Sequence, residues 1–258
     1  MLEVRTPIME LSTEQITTFN RDGILFFPGL LDTDEMTGLR DELDDLLGLQ
    51  RPEILREKHS QRVRCAFAPH TYSERYRRLM HHPSIVEPVK QLLGGEVYLH
   101  QFSINPKAAF EGESWGWHQD YPTWLIDNQI ARPDVINVGV FIDDVTEFNG
   151  PLFFVLESHQ HGALDTETDE ESTSYKLLGV SEAKVAELCQ QGELFSPLGP
   201  AGSVWFFHPN LVHASNANVS PYRRALCTIC YNRTDNLPSA FARPEWEAHS
   251  DFSAIESR

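Results

Sequence analysis

The chain has 258 residues, 41% of them hydrophobic and 23% charged, the balance of a globular protein rather than a disordered one. Its 21 Lys and Arg against 38 Asp and Glu leave a net charge of −17, which opposes approach to nucleic-acid phosphates or anionic lipid. No apolar run reaches bilayer length and Met1 to Glu10 lacks a signal-peptide core, so membrane and secreted readings fall away.

In chain order, Ser12 and Gln15 have capping-box spacing and open a short helix that Asp22-Gly23 ends. The longest apolar run, Gly23 to Leu31, follows, broken by Pro28 and Gly29. Met36, Leu39, Leu43, Leu46 and Leu47 recur on one helical face, with Asp32 or Thr33 as cap and Gly48 near the stop. A third helix is predicted over about Ser84 to Leu93, before Gly94-Gly95. Residues 10–95 therefore read as a helical layer.

From Glu96 the texture changes to short β-rich runs: Val97–Ile104, Val135–Ile142, Leu152–Leu156, Ser203–Phe207 and Ala225–Tyr231. Asn149-Gly150-Pro151, Pro197 to Gly202 and Ser220-Pro221 supply the turns between them. One helical insert, Ser181 to Gln191, interrupts the series; the acidic stretches Asp41 to Asp45 and Asp165 to Thr173 read as solvated surface. Many short strands without βαβ alternation argue for a mainly β fold with helices. The best fit is a double-stranded β-helix, or cupin-like jelly roll, over about 96–235, carrying the N-terminal helical layer. No repeat or linker divides the chain, so 1–258 reads as a single domain.

Cys227-Thr228-Ile229-Cys230 has no second pair to complete a zinc site, and on a strand positions three apart face opposite ways. The four cysteines read as separate thiols, in keeping with a reducing, cytoplasmic setting.

The chemistry points to His118-Gln119-Asp120. An imidazole and a carboxylate two residues apart on an extended segment share a face and suit a divalent metal. Chance yields on the order of one such triplet in a chain of this composition. The second occurrence, His249-Ser250-Asp251, lies past the last strand and reads as the chance one. The first lies among aromatics in Trp115 to Trp124, and His213 follows a later strand. Two His and one Asp make the facial triad of non-haem Fe(II) oxygenases. Arg223 or Arg224, opening the last strand, offers a fork for a dicarboxylate co-substrate. Two other readings stay open: a cupin-type metal or small-molecule-binding protein using His159 and His161, and a silent jelly-roll binding module.

Four stretches, Tyr98 to Lys107, Trp117-His-Gln-Asp-Tyr-Pro-Thr-Trp124, Phe148-Asn-Gly-Pro151 and His213 to Arg224, resemble the phytanoyl-CoA dioxygenase superfamily. The likeness runs from about Thr13 to Asn232. Within the superfamily the chain resembles the ectoine hydroxylases and, through Val138 to Pro151 and Ser158 to Gly162, more closely the free-leucine hydroxylation branch of griselimycin biosynthesis. After Trp124 it departs from the ectoine pattern, running Leu125-Ile-Asp-Asn-Gln-Ile-Ala131.

The resemblance implies Fe(II), 2-oxoglutarate and O2 as cofactors, with His118, Asp120 and His213 as metal ligands. It implies Arg224 for the distal carboxylate of 2-oxoglutarate, with Lys107, Asn105 and Ser215 lining that pocket. Gln101, Trp124 and Thr123 become substrate contacts, and Arg64 and His70, in Arg62 to His70, the anchor of a substrate carboxylate. Related halogenases replace the metal carboxylate with a small residue, so Asp120 implies hydroxylation. The expected substrate is a free, leucine-like amino acid or a small molecule derived from one, with ectoine as the alternative. At −17, and with no basic cluster, a coenzyme A thioester finds nothing to hold its phosphates. No nucleic-acid or membrane partner is expected.

Overall fold

A computed structural model describes residues 9–169 and 177–258. The leader reading of Met1 to Glu10 and the acidic stretch from Asp165 to Thr173 fall partly outside these residues. Helix α1 (Thr13–Asp22) is opened by the expected capping box of Ser12 and Gln15, and Gly23 ends it at φ 81°. Then come β1 (Ile24–Phe27), α2 (Thr33–Gly48, capped by Asp32), β2 (Ile54–Arg56), β3 (Val63–Phe67), α3 (Glu74–Leu79) and α4 (Pro83–Leu93). Strands β4 (Val97–Lys107) and β5 (Trp115–His118) lead into the short helix α5 (Tyr121–Asp127). Strands β6 (Val135–Phe141), β7 (Leu152–Val155), β8 (Glu167–Asp169) and β9 (Leu177–Gly179) precede α6 (Glu182–Leu188). The last strands are β10 (Leu194–Phe195), β11 (Val204–Phe207), β12 (His213–Ser215) and β13 (Arg224–Arg233).

The strands form two antiparallel sheets, ordered β1-β11-β6-β13-β4-β3-β2 and β10-β7-β12-β5-β9-β8. This is the expected jelly-roll core. The larger sheet is buried on both faces, which is why β6 reads as the nearly continuous apolar run Val-Ile-Asn-Val-Gly-Val-Phe, broken only by Asn137. Its outer face (Ile136, Val138, Val140, Cys227, Ile229, Tyr231) packs against Met36, Leu39, Leu43, Tyr76, Ile85 and Val89 of the helical layer. Its inner face presents Asn137, Gly139, Trp205, Leu226, Thr228 and Cys230. Cys227 and Cys230 thus face opposite ways, both as free thiols. Gly139 pairs with Trp205, and a Cβ there would lie 1.9 Å from the Trp205 ring. The glycine lets a large indole lie flat on the sheet under the central cavity.

The N-terminal region departs from the all-helical expectation. β1 extends one edge of the large sheet by pairing with β11, and β2 and β3 extend the other edge beside β4. Ile24 to Phe27 is a short apolar run without periodicity, and its partner lies some 180 residues away, so local pattern could not assign it. No helix among the described residues is long and apolar enough to cross a membrane.

Candidate active site

His118 ends β5 and is the register partner of His213, which opens β12; their ring centroids are 4.1 Å apart. Asp120 does not continue the strand. It takes αR geometry at the N-cap of α5, and the backbone N–H groups of Asp120 and Tyr121 both donate to the Pro209 carbonyl. The triplet is therefore strand, link, helix start rather than one extended face. Gln119 between them is buried and donates to the carbonyls of Gly162 and Asn210, stapling the turn that leads to His213.

Each imidazole is oriented by the backbone carbonyl two residues before it. His118 Nδ1 meets the Gly116 carbonyl at 2.7 Å and His213 Nδ1 the Leu211 carbonyl at 2.9 Å. A carbonyl can only accept, so Nδ1 carries the proton and Nε2 keeps its lone pair. Those two Nε2 atoms face Asp120, at 3.6 Å from Oδ1 and 3.8 Å from Oδ2. Burial pushes both histidine pKa values down, to about 4, so both rings are neutral at pH 7. Burial also raises the Asp120 carboxyl, against the opposing pull of His118, Arg243 and Asn137. Two lone pairs and a carboxylate within 4.8 Å of one another fit a divalent transition metal. Among the described residues it is the one such group.

The group opens onto a cavity of about 130 Å³ between the sheets. Arg224 lies on one side, 1% exposed, with its guanidinium donating only to the carbonyls of Gly150 and Asn105. Burial lowers its pKa to about 9, which still leaves a cation at neutral pH. Its neighbour Arg223 points away and pairs with Asp143 and Asp44. Ser215 and Asn105 line the same cavity, where Asn105 donates to Ser103 and Thr228. Lys107 does not line it. Its ammonium is buried and donates to the carbonyls of Glu113 and Asn216, tying two loops together.

Gln101, Thr123 and Trp124 line the cavity on the other side. Arg64 and His70, expected there, do not. Arg64 is 1% exposed, paired with Glu57 at 2.7 Å, and its guanidinium lies 4.0 Å over the Trp115 ring, so it braces a wall from behind. His70 stacks on Phe102 and meets His249 edge-on. Parity explains the place of Arg64: on β3 the side chains of Cys65 and Phe67 reach the cavity, and Arg64, of the opposite parity, does not, while His70 lies past the end of the strand. Arg64→Ala strands a buried Glu57 carboxylate, so the expected outcome is a loss of about 3–5 kcal/mol by chemical denaturation. His249 of the second triplet is buried against His70 and donates its backbone N–H to the His100 carbonyl, outside the metal group. His159 bonds to the Asn20 carbonyl and packs on His208, while His161 is exposed, so the two do not converge as a cupin metal pair.

The cavity residue that sequence reasoning missed is Arg243. It lies beyond β13, where no periodic pattern directs attention; an Arg243…Glu247 spacing is the only local trace. Its Nη2 donates to Gln101 Oε1 at 2.6 Å and its Nε to Glu247 at 3.0 Å. Asn137, which donates to Asp120 at 2.8 Å, was hidden inside an apolar strand.

The family model for phytanoyl-CoA dioxygenase (PhyH) matches residues 19–226. The chain belongs to that family. It is 34% identical to the L-proline trans-4-hydroxylase of Streptomyces griseoviridis, over 98% of this chain and 97% of that one. Among solved structures, EctD from S. alaskensis with 2-oxoglutarate and 5-hydroxyectoine superposes with a TM-score of 0.84 at 30% identity, covering 96% of this chain and 87% of that one. EctD with bound Fe gives 0.83 at 28% identity, with the same coverage. Family, donor set and buried arginine agree: this PhyH member is a dioxygenase of the Fe(II)/2-oxoglutarate type, with O2 as co-substrate.

Proposed function

We propose that this PhyH dioxygenase hydroxylates an unactivated C–H bond of a free amino acid with an aliphatic side chain or ring. His118 and His213, through Nε2, and Asp120 hold the metal. Arg224 holds the distal carboxylate of 2-oxoglutarate, with Asn105 and Ser215 beside it. Fe(II) with 2-oxoglutarate and O2 supplies the oxidising power for breaking the C–H bond. The chain's own work is binding, orientation and exclusion of water. Buried Trp124 and Trp205, with Phe67, wall the cavity with apolar surface, against which an aliphatic group gains about 25 cal/mol per Å² removed from water.

The observation that carries the substrate reading is Arg243 at the cavity wall, opposite in role to Arg224. A substrate carboxylate exchanges with Gln101 Oε1 on the Arg243 fork while Glu247 keeps the fork in place. The Nη2 end of this fork, which now donates to a neutral amide oxygen, offers a charge-assisted contact to an untethered carboxylate, which a free amino acid has and a thioester lacks. The S. griseoviridis relative, named for L-proline, supports the class. Ectoine is the second reading, supported by the likeness to EctD with 5-hydroxyectoine. The enzyme works as one unit over 1–258, in the cytoplasm, where its four thiols stay reduced.

The test is a panel of free amino acids, leucine and proline first, with ectoine and the matching amino-acid amides. Each is incubated with Fe(II) and 2-oxoglutarate and read by mass spectrometry for one added oxygen, matched to succinate. Arg243→Ala is expected to raise the KM for the amino acid about ten- to a hundredfold, the worth of a charge-assisted contact. Substrate-free 2-oxoglutarate decarboxylation should persist. Amides accepted as well as acids, or an unchanged KM in Arg243→Ala, would end this reading of the substrate.

A further inference from the structure

The carboxylate at the metal group has no support from its own helix. Asp120 stands at the N-cap of α5, yet its side chain makes no capping hydrogen bond. A carboxylate with free rotation about its side-chain bonds would sample several positions, and a metal site needs one. The side-chain hydrogen bond that fixes it comes from the opposite sheet: Asn137 Nδ2 donates to Asp120 Oδ2 at 2.8 Å. Asn137 is fully buried in β6, where an amide among apolar neighbours costs stability unless both its ends are satisfied.

The other end is satisfied by Cys230. Register pairs Cys230 of β13 with Asn137 of β6, both on the inner face, and Cys230 Sγ donates to Asn137 Oδ1 at 2.9 Å. The thiol fixes which way the amide points. With S–H directed at Oδ1, the NH2 group faces Asp120; a flipped amide would set a carbonyl oxygen against the carboxylate and leave the thiol without an acceptor.

We infer that Asn137 is the positioning residue of the metal carboxylate and that Cys230 sets its direction. The chain Cys230 to Asn137 to Asp120 engages Oδ2 and leaves Oδ1 to the metal. This rests on Asp120 being a metal ligand, as proposed above. It gives a role to a buried polar residue in an otherwise apolar strand, and to the one member of the Cys227/Cys230 pair that faces the cavity. Partners that hold a ligating group from behind are typically worth 10- to 100-fold in metal affinity.

The experiment measures Co(II) affinity anaerobically, by visible d–d absorbance, together with melting temperature with and without metal. Asn137→Leu keeps the approximate volume and removes the amide; it is expected to weaken Co(II) binding about 10- to 100-fold and to alter the d–d bands. Cys230→Ala removes the donor and Cys230→Ser restores one. The expected order of affinity is wild type, then Ser, then Ala, a ranking that cavity volume alone does not produce because Ser and Ala differ little in size. Should Asn137→Leu not fold, the Cys230 pair decides. Folded Asn137→Leu with wild-type affinity and bands, or identical Ser and Ala variants at position 230, overturns the inference. Asp120→Ala separates this from the reading beneath it. If that variant still binds Co(II) like wild type, the metal assignment itself fails; if it loses the metal while the Asn137 and Cys230 variants do not, only the positioning role fails.

Discussion

His118→Ala, Asp120→Ala and His213→Ala each abolish coupled turnover, and each lowers Fe(II) affinity by more than about 100-fold. The lower bound follows from magnitudes: removing a partner that merely supports a ligand costs 10- to 100-fold, so removing the ligand costs more. Each substitution leaves two donors where the group has three. The metal-free proteins behave differently from one another. Asp120 is a half-buried carboxylate whose ionisation burial disfavours, but it is also the acceptor for the buried Asn137 amide, so in Asp120→Ala the two effects oppose and the chelator-treated protein stays close to wild type in stability. His213→Ala instead removes a ring packed against Phe154 and Phe207, at 5.7 and 4.9 Å, and opens a hole in the core. Melting curves in chelator, then with Fe(II) added anaerobically, separate the two effects: wild type gains stability on metal addition and all three variants do not. His159→Ala and His161→Ala keep that gain. Retention of metal stabilisation in His118→Ala, or its loss in the His159 or His161 variants, would place the metal elsewhere.

How much of this was readable beforehand depends on range. Helices with caps and a periodic face, such as Thr13–Asp22 and Thr33–Gly48, are written in adjacent residues and came out within a residue or two. The long central strands announce themselves as β-branched runs. The short edge strands do not, because what makes Ile24–Phe27 a strand is Val204–Phe207, not its own neighbours. The donor triad was legible because His118 and Asp120 sit two apart in an aromatic context, although the local geometry differs from the extended pair expected. The residues alone left Arg223 and Arg224 open and the family resemblance favoured Arg224; in the structure Arg224 lines the cavity while Arg223 pairs with Asp143 and Asp44 outside it. Neighbouring parity was not decisive for Arg64 in sequence, since β3 is only five residues long and its inward face is set by pairing with β4. Arg243 belongs to a segment with no regular structure, held by single hydrogen bonds to β4 such as His249 N–H to the His100 carbonyl. No local pattern encodes such docking.

Arg224→Ala raises the 2-oxoglutarate requirement about ten- to a hundredfold and leaves the amino-acid requirement within a few-fold, whereas Arg223→Ala does neither. The asymmetry follows from where two adjacent side chains of one strand go. Arg223 already has two carboxylates, a half-buried bidentate partner in Asp143 and an exposed one in Asp44; losing it costs stability but touches nothing in the cavity. Arg224 is buried against carbonyl dipoles alone, with the full charge of its guanidinium unmatched by any carboxylate within salt-bridge distance among the described residues. Holding a cation there costs stability that an arriving dicarboxylate returns, and a charge-assisted bidentate contact is worth about 1.5–3 kcal/mol. Arg224→Lys is the more telling variant. A lysine keeps the charge but cannot donate both to the Gly150 carbonyl and, as a planar fork, to a carboxylate. Its 2-oxoglutarate KM is therefore expected between those of wild type and Arg224→Ala. The measurement is steady-state succinate release at saturating amino acid, with 2-oxoglutarate varied, and the reverse. Stability in the absence of co-substrate supplies the check on mechanism. If Arg224 is an unpaired buried charge awaiting its anion, adding 2-oxoglutarate raises the melting temperature of wild type and not of Arg224→Ala. Equal KM shifts for Arg223→Ala and Arg224→Ala, or undiminished stabilisation of Arg224→Ala by 2-oxoglutarate, would mean that the dicarboxylate is held elsewhere.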